Sequence, residues 1–407
     1  MNLAKNSLWL LLARIGAQGM AALFTILLAR RLGSAGFGEY ALIAAIIFIG
    51  NMLTTFGTDM SIIREIASHD DLSLLPASLS IQLVLSLLFI LVIWFDASLL
   101  PHQGTDGILA LRVYSFVLIP LSFFTVFSSA LRGKQLIAAY AWLNLIGSFL
   151  QLAIIWFFLR AGERLVTLAI LLLFSQALIT LVGALICSFT IQGFWRDWVF
   201  TIKDVPKLIK VSAPLALLAL IAMVYQKSSV ILLSIISGPV LTGWFSVAQR
   251  SVEATKTAHA AVLTALYPAM AQNKKETFHL SWMFLLLGAG IGAITLSVLA
   301  TPLTLILFGS EYEASVPALQ ILAWVLIPYT ISTFLTLKFV ASNQETPVLR
   351  ASLVSLAILA VSSIWWIPRA GLSGASSSVL IAESTQAGLL FLQWRARYEF
   401  SELLREA

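Results

Sequence analysis

The 407-residue chain has little charge, since only 11% of its residues are Asp, Glu, Lys or Arg. Soluble globular domains carry about 25% charged residues, because they must cover themselves with polar surface. Hydrophobic residues instead make up 59% of the chain, and the mean hydropathy is +0.95. This composition excludes an ordinary soluble fold and predicts a polytopic membrane protein.

Cysteine and histidine are scarce as well. Cys187 is the single cysteine, which excludes an intrachain disulfide, and its position in an apolar run predicts a small buried side chain. The four histidines show no metal-motif spacing and no nucleotide-binding motif occurs, so we expect neither a metal nor a cofactor nor direct use of ATP. The net charge of +6 indicates cations held on the cytoplasmic side of a membrane, not a nucleic-acid partner.

What the chain does have is long apolar runs of about 20 residues, the length that a transmembrane helix needs. We identify twelve, at Leu8–Leu28, Tyr40–Phe56, Leu79–Phe95, Ile108–Leu131, Leu136–Leu159, Leu165–Thr190, Val211–Ile236, Trp244–Met270, Leu280–Phe308, Val316–Val340, Val348–Ile367 and Leu372–Trp394. Short links join them and leave no room for a soluble domain. The sequence therefore predicts an all-α integral membrane protein with about 12 transmembrane helices.

A weak internal repeat divides the chain near its midpoint. Glycine, four residues, glycine, one residue and an aromatic occur at 33–40 and again at 238–245, each time between the first two helices of a half. We therefore expect an N-terminal six-helix lobe at 1–190, an amphipathic interfacial linker at 191–210, a C-terminal six-helix lobe at 211–396 and a cytoplasmic tail at 397–407. Two such lobes related by a pseudo-two-fold axis are a transporter architecture. The distribution of Lys and Arg over the links favours both termini in the cytoplasm.

Several charged residues fall inside the predicted helices, where each costs about 2.5–3.5 kcal/mol on insertion scales. Two interpretations compete: an internal salt-bridge stripe that faces packed helices, or the cationic wall of a water-filled substrate pathway. We favour the second because the cations outnumber the acids. The expected pathway cations are Arg14, Lys227, Arg250 and Lys256, and the supporting polar residues are Gln18, Glu253 and Glu383.

The link after the first helix carries two arginines and a glycine cluster. Gly33, Gly36 and Gly38 do not match the dinucleotide-binding spacing, and no P-loop lysine follows them. The pattern predicts a tight turn between two helices, since glycine permits a positive φ. A gating role at the outer mouth of the pathway, with Arg30 and Arg31 beside Gly33 and Gly38, is the alternative.

The same stretch carries a family resemblance. The sequence LARRLGSAGFGEYALI resembles the first-loop pattern of the polysaccharide-exporter branch of the multidrug/oligosaccharidyl-lipid/polysaccharide flippase superfamily. Residues 207–215, which contain Pro214, and residues 225–248 resemble its second-half pattern. The family often has an aspartate where this chain has Ser229, so the resemblance implies no ion-coupling role for that position.

The resemblance implies a flippase for O-antigen or exopolysaccharide repeat units in the bacterial inner membrane. Its substrate would be an undecaprenyl-diphosphate-linked oligosaccharide, moved by alternating access through a cationic central cavity. Membrane lipids, H⁺ or Na⁺ as coupling ions and a polysaccharide polymerase are the partners that it leaves open. The alternatives are a multidrug or other lipid-linked-substrate exporter, and a membrane glycosyltransferase or ligase. The enzyme is disfavoured because the outer loop that holds Asp96, His102 and Asp106 is short.

Overall fold

A computed structural model describes the backbone of residues 3–196, 198, 201, 203–271, 275–341 and 344–406. It describes the side chains of residues 16–196, 198, 201, 203–217, 219–257, 282–340, 344 and 346–396. Within these ranges the chain is helical, with turns and two short 3₁₀ segments between the helices and no strand. The prediction of an all-α fold is confirmed.

Eight helices form the first part of the chain, and six form the rest. The first eight are α1 (Leu3–Thr55), α2 (Thr58–His69), α3 (Leu74–Asp96), α4 (Thr105–Ser115), α5 (Leu118–Gly133), α6 (Ile137–Phe158), α7 (Leu165–Thr190) and α8 (Asp204–Ser237). The other six are α9 (Pro239–Ala271), α10 (Lys275–Val298), α11 (Ala300–Leu307), α12 (Val316–Ala323), α13 (Leu326–Ala341) and α14 (Glu345–Glu406).

The fourteen helices of the described structure correspond to the twelve predicted runs once bends and breaks in the helices are taken into account. Among the described residues, seven helices are long and apolar enough to cross a membrane, or nine if the bent pairs α10–α11 and α12–α13 each make one span. α1 and α14 each contain two runs, divided at Gly33 and Gly371, where the backbone leaves helical geometry. α9 is the remaining run and fails the apolar criterion because it carries Arg250, Glu253 and Lys256. The chain is thus a multi-pass membrane protein with about 12 transmembrane helices.

The chain divides into two compact units, Met1–Lys227 and Ser228–Ala407. The division lies within α8, so most of the predicted seventh transmembrane helix belongs to the first unit. α8 also begins at Asp204, which makes the last residues of the predicted linker 191–210 helical. The predicted lobe boundaries stay a prediction.

The first unit is organised around an apolar cluster drawn from α2, α3, α5, α6 and α7. Phe127 of α5 belongs to it, and the rings of Phe194, Trp195 and Trp198 meet the Phe127 ring edge-on or tilted, with centroids 5.9 to 6.3 Å away. Cys187 belongs to this cluster, is fully buried and directs its thiol to the carbonyl of Phe127. The prediction of a buried, unpaired cysteine is therefore confirmed.

A sharp break between α1 and α2 brings α2 against α8. Phe56 and Gly57 both have positive φ, of 51° and 66°, which ends α1 and redirects the chain. The Ser61 hydroxyl of α2 then lies 2.8 Å from the Ser212 hydroxyl of α8. Both serines are buried, and the contact gives each hydroxyl the hydrogen-bond partner that a buried polar group needs.

The second unit has its own core, in which α10, α13 and α14 pack through Leu285, Phe334, Phe339 and Leu390. The Phe334 ring lies 4.6 Å from the Trp282 ring, centroid to centroid. These contacts fix α13 and α14 side by side, and α9 packs against both helices. This arrangement positions the charged residues described below.

Gly57 provides a test of the contact between α2 and α8. A Cβ built on Gly57 would lie 2.8 Å from the amide nitrogen of Ala216 and 3.0 Å from the carbonyl oxygen of Ser212. Gly162 also has a positive φ, of 76°, but a Cβ there would meet nothing within 4 Å. Gly162→Ala therefore adds backbone strain alone, about 1–3 kcal/mol. Gly57→Ala adds a steric clash, and we expect it to cost about 1–3 kcal/mol more.

The measurement is the thermal unfolding midpoint of each purified variant in the same detergent. We expect Gly57→Ala to unfold at a clearly lower temperature than Gly162→Ala. Equal losses in the two variants would contradict the close approach of α8 to Gly57.

Candidate functional site

The predicted pathway cations of the first unit are only partly within the described side chains. The side chain of Arg14 lies outside them, and Gln18, predicted to share its face of α1, is exposed. Lys227 is half-buried near the middle of the predicted seventh span, and its Nζ lies 5.0 Å from the centroid of the Phe48 ring. A cation above an aromatic face is attracted by the ring quadrupole, which lowers the cost of its position.

Arg250 and Glu253 lie on successive turns of α9. Arg250 follows a tightly packed stretch, Phe245–Ala248, in which every residue is buried, yet 48% of its own side chain is exposed. Its Nη1 is 3.6 Å from Oε2 of Glu253, and Gln249 donates a 3.0 Å hydrogen bond to the other oxygen of that carboxylate. The ion pair is long, and about half of the Arg250 side chain stays exposed.

Lys256 makes a different kind of contact. Its Nζ lies 3.0 Å from Oε1 of Glu383 on α14, and the two side chains are only 19% and 10% exposed. The same ammonium lies 4.5 Å from the centroid of the Tyr329 ring on α13. The structure thus joins two predicted site residues that are 127 positions apart. Lys256 fits the salt-bridge interpretation of the α9 charges, whereas the Arg250 side chain is half-exposed and its ion pair is long.

Polar side chains continue from this ion pair along α13 and α14. Gln386, one turn from Glu383, donates a 3.2 Å hydrogen bond to the hydroxyl of Ser352. The hydroxyls of Ser332 and Ser355, which are buried, have no hydrogen-bond partner among the described residues. Ser332 lies one turn from Tyr329, and Ser355 one turn from Ser352. We did not predict these serines or Tyr329, because nothing in the sequence distinguishes them from the many others in apolar helices.

The turn that contains the glycine cluster is shorter than the sequence suggests. Gly33 alone takes the positive φ, of 68°, whereas Gly36 and Gly38 lie within the following helix and Gly38 is buried. Arg30 is exposed at this turn. A tight turn between two helices is therefore correct, but Gly33 is the residue that makes it.

Arg31, expected at the outer mouth, caps a helix. Its guanidinium donates to the carbonyls of Ile155, Trp156 and Leu159 at the end of α6, the first two at 2.9 Å. The guanidinium also lies 5.5 Å from the Trp156 ring centroid. The last carbonyls of a helix are short of donors and carry partial negative charge. The Nη1 group of Arg31 donates to three of them, of which the Ile155 carbonyl also accepts from the Leu159 amide. The contacts therefore give Arg31 a structural role, and gating by the residues of this turn stays a prediction.

The outer loop that an enzyme would use, which contains His102 and leads to Asp106, makes structural contacts. Asp106 accepts a 2.8 Å bond from Nε of Arg164 and a 2.8 Å bond from the backbone amide of Leu165, at the first residue of α7. His102, in the same loop, is exposed and has a positive φ. Asp106 thus caps a helix and closes a link between two spans.

Comparisons with known proteins identify a matching family and several solved structures with a similar fold. The family model described as polysaccharide biosynthesis protein matches residues 3–274. Comparison with curated protein sequences gives no match. Among solved structures, the chain is similar to the lipid II flippase MurJ in an inward closed conformation, with a TM-score of 0.81, 14% identity and coverage of 95% of this chain and 87% of that one.

Two further structures share the fold over almost the whole chain. One is a multidrug resistance MATE family transporter of the MOP superfamily, inward-facing, with a TM-score of 0.71, 15% identity and 93% coverage of each chain. The other is a MOP superfamily transporter from Pyrococcus furiosus with a binding pocket of reversed polarity. It has a TM-score of 0.65 and 16% identity, and the match covers 97% of this chain and 95% of that one.

The cap made by Arg31 predicts a loss of stability in its variants. Arg31→Met removes the side-chain donor from the carbonyls of Trp156 and Leu159, and we expect it to lower the free energy of unfolding by about 1–3 kcal/mol. Arg31→Lys keeps a charged donor but not the planar guanidinium, which also lies 5.5 Å from the Trp156 ring centroid, so its loss should be intermediate. Arg160→Met, at an exposed position beyond α6, is the control. Thermal unfolding in detergent measures all three, and an Arg31→Met protein as stable as wild type would disprove the cap.

Proposed function

The chain belongs to the polysaccharide biosynthesis protein family, and from this membership we propose that it is a flippase for undecaprenyl-diphosphate-linked oligosaccharides. The repeat unit of an O-antigen or exopolysaccharide would move from the cytoplasmic to the periplasmic leaflet of the bacterial inner membrane, with both chain termini in the cytoplasm. The name of the structurally similar lipid II flippase supports the class of movement, and the family description supports a polysaccharide precursor.

Arg250 is the observation on which the proposal rests. A diphosphate that enters a low-dielectric space needs compensating positive charge, and the fork of an arginine matches two phosphate oxygens. Arg250 offers such a fork from a membrane helix, because its side chain is half-exposed and its ion pair with Glu253 is long. Lys227 and Arg14 would add charge along the same pathway, and Gln18 would add hydrogen bonds.

Alternating access is the mechanism that we propose. The cationic central cavity would open first to the cytoplasm and then to the periplasm, while the sugar travels in water and the polyprenyl chain stays in the bilayer. The movement makes and breaks no covalent bond, so the protein is a transporter and not an enzyme. The helix breaks at Gly33, Gly57 and Gly371 suit this mechanism, because they divide long helices into shorter segments that would move as units.

An exporter of cationic drugs is the main competing function, since the fold is shared with a multidrug transporter. Such a substrate needs an acid that is available to it. In the described part of the second unit, the acids of the candidate site already have partners, Glu253 with Arg250 and Glu383 with Lys256. The exposed group is the cation Arg250, which favours an anionic substrate.

Replacement of the pathway cations tests the proposal. In a strain that lacks its own flippase, we expect Lys227→Ala and Arg250→Ala to reduce surface polysaccharide strongly at matched protein levels. A charge-assisted hydrogen bond contributes about 1.5–3 kcal/mol, which corresponds to about a 10- to 150-fold change in affinity. Arg250→Lys should restore part of the polysaccharide, and Arg160→Ala should leave it unchanged. Full polysaccharide from both alanine variants would overturn the proposal.

A further inference from the structure

The ion pair between Lys256 and Glu383 lies deeper than that of Arg250, and its chemistry goes one step beyond the proposed function, on which it rests. We propose that this pair is a proton-linked binding site for the diphosphate. When the diphosphate binds Lys256, the ammonium leaves Glu383, and the freed carboxylate takes up one proton from water. When the diphosphate leaves, Glu383 loses the proton and the ion pair forms again.

The geometry makes the two anions competitors for one cation. The Nζ atom of Lys256 has Glu383 at 3.0 Å on one side and the face of Tyr329 at 4.5 Å on another. Both side chains of the pair are largely buried, so water offers the ammonium little other compensation. A dianionic ligand at Lys256 therefore replaces Glu383 as its partner.

Burial decides what happens to the freed carboxylate. Glu383 is 7% exposed as a residue, and Lys256 is the cation that the described structure places against it. A buried charge that loses its partner is strongly destabilising, and neutralisation by a proton is the usual relief. The balance is simple, because an O–H bond forms at the carboxylate, one proton comes from solvent, and one ion pair replaces another.

The polar groups beside Glu383 suit the transfer of that proton. Gln386 and Ser352 form a hydrogen bond one turn away, and the buried hydroxyls of Ser332 and Ser355 have no partner among the described side chains. Buried hydroxyls of this kind are normally satisfied by water.

The neighbouring charges distinguish Glu383 from Glu253. α9 presents Arg250, Glu253 and Lys256 over the described range, α13 presents Tyr329, and α14 presents Glu383 and Gln386. Glu253 keeps the hydrogen bond from Gln249 and the nearby Arg250 even if Lys256 moves, and it is 26% exposed. Loss of Lys256 therefore leaves Glu383, and not Glu253, without compensation.

The coupling of proton uptake to diphosphate binding has a physical consequence for transport. If Glu383 stayed ionised, the site with substrate bound would hold the two negative charges of the diphosphate beside the negative charge of the carboxylate. Proton uptake removes that third charge while the substrate is bound. Because the proton arrives and leaves with the substrate, both travel in the same direction, and this site does not draw on an inward proton gradient.

Calorimetry on the purified full-length protein tests the proposal. The probe is a synthetic polyprenyl diphosphate N-acetylglucosamine, whose diphosphate diester does not titrate near neutral pH. Binding heats in two buffers with different ionisation enthalpies give the number of protons taken up. We expect about one proton per ligand in the wild type at pH 7.5, and an affinity that falls as the pH rises, because binding consumes a proton.

Glu383→Gln mimics the protonated acid permanently. We expect it to bind the probe without proton uptake, with an affinity that no longer depends on pH and that is about tenfold tighter than wild type at pH 8. Glu313→Gln, an acid-to-amide change at an exposed position of the same unit, should behave as wild type. Unfolding midpoints confirm that the variants are folded.

The possible results separate the two proposals. Wild-type protein that binds the probe without proton uptake overturns the proton link and leaves the proposed function standing, whatever the stability of the variants. Proton uptake that persists in Glu383→Gln also overturns the assignment to this residue. Wild-type protein that does not bind the probe overturns the proposed function, and the proton link with it.

Discussion

A charged group inside a membrane protein must be compensated, because a low-dielectric environment penalises an isolated ion far more than water does. This constraint explains the contacts that the structure makes. Lys256 pairs with Glu383 deep in the second unit, Asp106 pairs with Arg164 at a link, and Arg31 is held by the carbonyls that end α6. Arg250 differs from Lys256 and Arg31, because its ion pair is long and its side chain is half-exposed. An incompletely compensated arginine on a membrane helix is what an anionic substrate requires.

The two halves of the chain repeat one local feature of the backbone. Gly33 and Gly238, 205 residues apart, both have a positive φ and both end the first helix of their half. In the first unit this turn contacts the link before α7, because the amide of Gly162 donates to the carbonyl of Arg31. In the second unit, a Cβ built on Gly371 would lie 3.2 Å from the side chain of Leu241. The repeat that the sequence suggests therefore has a counterpart in backbone geometry, and the pseudo-two-fold relation of the lobes stays a prediction.

Composition and run length predict the helices well, because about 20 apolar residues and a positive-φ glycine are local properties. The partners of the charges are not local. Nothing near Lys256 in the sequence points to Glu383, since the contact depends on how α9 packs against α14. Arg31 illustrates the same limit. The adjacent Arg30 and Arg31 suggested the mouth of a pathway, whereas the packing of α1 against α6 makes Arg31 the cap of a helix. The predicted run Tyr40–Phe56 ends next to the break at Gly57, but the contact of Gly57 with α8 is not local and could not be predicted.

The location of the lipid-linked repeat unit tests the central claim most directly. The measurement is the amount of undecaprenyl-diphosphate-linked oligosaccharide in each leaflet of the inner membrane after the protein is depleted from its own bacterium. Our account predicts that the repeat unit accumulates in the cytoplasmic leaflet and disappears from the periplasmic one. A repeat unit that still reaches the periplasmic leaflet at the normal rate would contradict it.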